Sequence, residues 1–114
     1  TSSSMCEGAV EGRRDIDSLL EAAVSCMRKR NIAAAVLFGS FAKGAAHSTS
    51  DIDIAVWPGR GWTVRDWDAL QDDLEALPTL KKWDIVRMNG LVSPMLKEAI
   101  DRDGIVLYGS SGQS

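Results

Sequence analysis

The sequence predicts an α/β (α+β) domain with one mixed sheet of about four strands flanked by helices. Three observations predict it. Short apolar or alternating runs, "IAAAVLF", "DIDIAVW", "WDIVRM" and "IVLY", have the length and composition of strands. The segments between them carry apolar residues at three- and four-residue steps, the mark of amphipathic helices. A chain of 114 residues is large enough for one core and no more.

Each element has its own signal. Ile16, Leu19, Leu20, Ala23, Val24 and Met27 form one stripe of a first helix. Asp15 or Asp17 is expected to cap its start, Arg28-Lys29-Arg30 suits the negative end of its dipole, and Asn31 ends it. Residues 32–38 read as a buried strand cut off by Gly39, with a short helical turn in "FAKGAA". "DIDIAVW" follows as a second strand, stopped by Pro58-Gly59. After the loop "GRGW", Thr63 caps a helix whose stripe is Val64, Trp67, Leu70, Leu74 and Leu77, with Pro78 past its end. Its acids, Asp66, Asp68, Asp72, Asp73 and Glu75, are expected on a solvated face. "WDIVRM" is a third strand. Ser93-Pro94 starts a last helix with Met95, Leu96, Ala99 and Ile100 inward, Gly104 ends it, and "IVLY" closes the sheet.

Residues 1–13 are small and polar without periodicity and read as a flexible tail, as do residues 110–114. The folded unit is expected over residues 14–109. The net charge of −3 disfavours non-specific nucleic-acid binding, which rests on a basic surface. No apolar run approaches the ~20 residues of a bilayer span. The first residues lack the apolar core of a signal peptide, and Cys6 and Cys26 form neither a disulfide framework nor a metal motif. The expected setting is cytoplasmic, with both thiols reduced.

The chemistry lies in "LFGSFAKGAAHSTSDIDIAVW", residues 37–57. Asp51 and Asp53 are two apart on a strand and so share a face, about 6.6–6.8 Å apart along it. Two such carboxylates raise each other's pKa unless a cation lies between them. Mg²⁺ suits this, since it binds a few carboxylates together with substrate phosphate oxygens. Gly39-Ser40 allows a close backbone approach to the phosphates of a nucleoside triphosphate, Lys43 adds a cation one turn on, and Gly44 keeps a second approach open. Asp84, between Trp83 and Ile85 on the third strand, is the candidate third carboxylate. It would deprotonate an attacking hydroxyl or help hold a second metal. Asp84 could instead pair with Arg87 or Lys82. His47 is a solvated loop residue or a phosphate or acceptor contact, and Arg60 is solvated or contacts phosphate or a partner. Trp67 reads as core and Trp83 faces away from Asp84. Trp57 and Trp62, around "PGRG", either pack or stack on a base or partner.

Gly39-Ser40, ten residues, then Asp51-Ile52-Asp53 resembles the signature of the polymerase-beta-like nucleotidyltransferase superfamily. With "GSFAKG", "SDIDIAV", "WDIVRMN" and "AIDRDGIVLYG", the chain is similar to its minimal members, the MNT-domain proteins, over about residues 15–109. The resemblance implies the polymerase-beta-like fold and transfer of a nucleoside monophosphate, AMP from ATP in the first instance, to a hydroxyl. Asp51, Asp53 and Asp84 would hold Mg²⁺, Asp84 would activate the acceptor, and Gly39 and Ser40 would grip the triphosphate. It implies a HEPN-domain toxin as partner and an antitoxin role by adenylylation. The alternatives are an antitoxin that acts by binding alone and a transferase for a small acceptor such as an aminoglycoside. Lys43 stands where such proteins often carry Arg, which loses the bidentate fork.

Overall fold

Four strands, β1 (Ile32–Phe38), β2 (Ile52–Pro58), β3 (Trp83–Arg87) and β4 (Ile105–Tyr108), form one mixed sheet in the order β3-β2-β1-β4. The computed structural model describes residues 13–43, 51–79, 81–88 and 92–109, and only the backbone of Arg13 to Asp15 and of Lys43. β1 pairs antiparallel with β2 and with β4, whereas β2 and β3 are parallel. The central strands are the most apolar, as a strand covered on both faces requires.

Three longer helices, α1 (Arg13–Lys29), α3 (Val64–Glu75) and α4 (Pro94–Asp103), and the single turn α2 (Ser40–Lys43) complete the fold. One face of the sheet (Ile32, Ala35, Leu37, Ile52, Ile54 and Val56) packs on Ala23 and Met27 of α1 and on Leu70 and Leu74 of α3. Each fully buried leucine contributes about 1.5–3 kcal/mol. The other face has a smaller core of Val36, Ala55, Met88 and Ile100, the last from α4. β1 serves both faces through a bulge. Ile32 pairs with Pro58 and Ala34 with Trp57, which leaves Ala33 as the extra, exposed residue.

The helix ends follow from local chemistry. Thr63 and Asp66 form a reciprocal capping box at α3. Asn31 leaves α1 with a left-handed backbone, φ 60°, and its side-chain amide donates to Asp66 at 3.2 Å. Arg30 joins Asp73 of α3 at 2.9 Å, tying α1 to α3. Asp66 and Asp73 are therefore structural contacts rather than members of a merely solvated face. α1 is already helical at Arg13, so Asp15 and Asp17 lie inside it and do not cap it. Ser93 makes no side-chain cap bond; Pro94 at the first turn marks the start of α4. Val64 and Met95, expected inward, sit in the first turns of α3 and α4 and are 63% and 79% exposed. Ala99 is likewise exposed, and Leu96 and Ile100 are the residues of α4 that join the smaller core among the described residues.

Candidate active site

β1 ends and β2 begins at the same edge of the sheet, and β3 starts beside them. Phe38 pairs with Asp53, and Asp53 pairs with Asp84 on the parallel neighbour. Directly paired residues project to the same face, so the two carboxylates stand side by side on adjacent strands, about 4.7–4.9 Å apart in backbone. Ile52, Ile54, Trp83 and Ile85 take the opposite face and pack into the larger core. That alternation orients the acids: burying the isoleucines and the tryptophan points Asp53 and Asp84 the other way.

The electrostatics match this crowding. The Asp53 carboxyl is pushed above the usual carboxylate range by burial first, then by the charge of Asp84 and a side-chain hydrogen bond with it, and then by the charge of Asp51. Asp51, exposed and just ahead of β2, is thus part of the same electrostatic group. Phe38, opposite Asp53 on the same face, belongs to its apolar surroundings. Sequence reading missed Phe38; its place as the last strand residue before Gly39 was the available signal.

Gly39 touches this group directly. A Cβ there would lie 2.6 Å from Oδ2 of Asp53, and its φ of +86° is one that side-chain-bearing residues rarely adopt. Its carbonyl accepts from Ala42, which turns the chain into α2, so Ser40 follows at an exposed position beside the acids. The Lys81 ammonium lies 5.8 Å from the centre of the Phe41 ring and links the approach to β3 with α2. The side chain of Lys43, and Gly44 and His47 altogether, lie outside the described residues.

Arg87 does not pair with Asp84. Three residues on, it points to the opposite face, where its guanidinium sits 5.2 Å from the Trp62 ring and 5.6 Å from the Trp67 ring. The two rings meet edge to face at 6.4 Å. Trp62 is therefore packed rather than open, and Trp57 is half-buried against the smaller core. Trp83 faces away from Asp84 as expected.

No three His, Cys, Asp or Glu side chains among the described residues form a ready metal cage. The paired Asp53 and Asp84 have the donor chemistry for a cation that completes its shell with substrate phosphate and water. Burial and the neighbouring negative charge together raise Asp53, and that is the penalty such a cation removes.

The sequence pattern of the family described as polymerase beta, nucleotidyltransferase matches residues 21–113. The chain belongs to the polymerase beta nucleotidyltransferase family. This nucleotidyltransferase is 30% identical over 91 residues to a candidate protein adenylyltransferase of Methanocaldococcus jannaschii, covering 80% of this chain and 96% of that one. A solved minimal nucleotidyltransferase, itself a candidate assignment, superposes with a TM-score of 0.70 at 31% identity over 86% of this chain and 98% of the other. The fold is shared with a chain of the tri-AMPylated Shewanella oneidensis HEPN toxin in complex with its MNT antitoxin, with a TM-score of 0.60, 23% identity, and 82% and 72% coverage. Among the described residues of this nucleotidyltransferase, no helix is long and apolar enough to cross a membrane.

Proposed function

We propose that this nucleotidyltransferase moves AMP from ATP to a hydroxyl on a partner protein, a HEPN-type toxin, and so acts as the antitoxin of a pair. The observation that carries the chemistry is the register match of Asp53 with Asp84, with Gly39 closed against Asp53. The protein acceptor is supported by the Methanocaldococcus jannaschii relative, whose name specifies protein adenylylation, and by the AMPylated toxin bound to the Shewanella antitoxin. The cell compartment consistent with this role is the cytoplasm.

In this reading Gly39 and Ser40 receive the triphosphate, with Lys43 and Gly44 beyond them. Asp51, Asp53 and Asp84 would hold Mg²⁺, which when bound neutralises the phosphate oxygens and the crowded carboxylates together. Asp84, on the exposed outer strand, takes the proton from the acceptor hydroxyl. The acceptor oxygen forms a bond to the α-phosphorus. The bond from that phosphorus to the bridging oxygen breaks, and pyrophosphate leaves with the electron pair. Asp53 enters this state ionised, so its raised proton affinity must be overcome by the bound cation.

The test is transfer of labelled AMP to the product of the neighbouring gene, with Mg²⁺ present. Labelling that is lost in Asp53→Ala supports the proposal, and equal labelling by that variant overturns the role of Asp53. Toxin neutralisation in cells by a variant lacking all three acids would show instead that binding suffices.

A further inference from the structure

The face that the transfer chemistry leaves unused is the outer side of β4. β4 is an edge strand, and no described strand pairs with its outer side. Natural edges are guarded by charge or proline, but "IVLY" carries neither, and Ile105 and Val106 are 46% and 56% exposed. A cleft of about 500 Å³ runs along this edge between α1 and β4, with Leu20, Val24, Val106 and Leu107 as its apolar part.

The charges around that cleft are ordered. Asp17 and Glu21 lie towards the start of α1 and Arg28 towards its end, all along the same groove. On the other face of the edge, α4 brings Lys97 and Asp101 to a second cleft that also reaches Val106. A two-fold axis through the β4 edge reverses both helices. It would set the acids of one α1 against Arg28 of the other, and Lys97 of one α4 against Asp101 of the other. One apolar strip flanked by two such reversible charge pairs is the pattern an isologous interface requires.

We infer that the α1–β4 edge is a self-complementary surface on which a second copy of this chain docks. β4 gains an extra residue between Val106 and Tyr108 relative to β1, which leaves Ile105 and Val106 as the regular part of the edge. Side chains of α1 carry the rest of the contact. The carboxylates lie on β2 and β3, two and three strands in from β4. The inference is independent of the donor and acceptor proposed above.

The experiment is sedimentation equilibrium of the full chain over a hundredfold range of concentration. A concentration-dependent dimer is expected. Val106→Lys, a change at an exposed position, should shift the mass to monomer with the far-ultraviolet circular dichroism spectrum unchanged. Arg28→Glu should weaken the dimer, and the exchanged pair Glu21→Arg with Arg28→Glu should restore it. A monomer at every concentration, a dimer that Val106→Lys leaves intact, or an exchange that restores nothing overturns the inference.

Discussion

Asp53 and Asp84 occupy matched positions on two adjacent parallel strands, so their carboxylates share one face while Ile52, Ile54, Trp83 and Ile85 turn to the other. Their closeness is a product of the strand register, and it makes each acid separately testable.

Asp84→Asn removes the proposed proton acceptor but keeps the shape. The rate of AMP transfer should fall about 10²–10⁴-fold. ATP binding, followed by calorimetry, should change far less. Unchanged transfer would remove Asp84 from the chemistry.

Asp53→Asn should stabilise the fold at neutral pH without added metal. The folded-state pKa of Asp53 is raised, so protonation favours the native state. Stability from this group is full below the ordinary aspartate pKa and is lost as pH rises through the raised value. The gain from Asn should therefore shrink on acidification, and also when Mg²⁺ stabilises the parent protein. Thermal melts across pH, with and without Mg²⁺, measure both trends.

Gly39→Ala meets two obstacles, the φ of +86° and the oxygen of Asp53 at 2.6 Å from the new Cβ. The backbone cost alone is about 1–3 kcal/mol. Because the displaced neighbour is a site carboxylate, transfer should fall by more than the loss of folded protein explains. Rates normalised to the folded fraction by circular dichroism make the comparison.

Arg87→Ala should cost about 0.5–2 kcal/mol from its contacts with Trp62 and Trp67 and leave AMP transfer intact. Denaturant unfolding monitored by tryptophan fluorescence reads the first effect. A loss of transfer in well-folded variant protein would show that Arg87 serves the acids after all.

Tyr108 is the single tyrosine, and its hydroxyl donates to the Ile32 carbonyl at 2.5 Å. Burial pushes its pKa up to about 12, with the Arg28 guanidinium acting in the opposite direction. Phenolate absorbance should appear well above pH 10 in the native protein. The stability tied to this proton is complete below the unfolded value of about 10 and is lost as pH rises towards 12. Tyr108→Phe should cost about 0.5–1.5 kcal/mol and remove that alkaline limb.

Much of this was legible because the local signals agree with the tertiary ones. The DID alternation oriented Asp53, and Gly39 marked a strand end that only a residue without a side chain could form. Thr63 and Asp66 announced a helix start by their spacing. What escaped depended on partners distant in the chain. Asp73 looked like one more solvated acid until α1 delivered Arg30 to it. Arg87 looked like a competitor for Asp84 until strand parity sent it to the tryptophans. Val64 and Met95 fit their helical stripes, but both lie in first turns and are exposed.

The extra residue at Ala33 separates two demands on one short strand. Counted back from Phe38 by strict alternation, Ile32 would fall on the same side as Asp53, and its bulk would be lost to the layer under α1. The irregularity absorbs that mismatch at the end of β1 remote from the aspartates. The seating of Ile32 beneath α1 is thus set separately from the phase of the chain around Gly39.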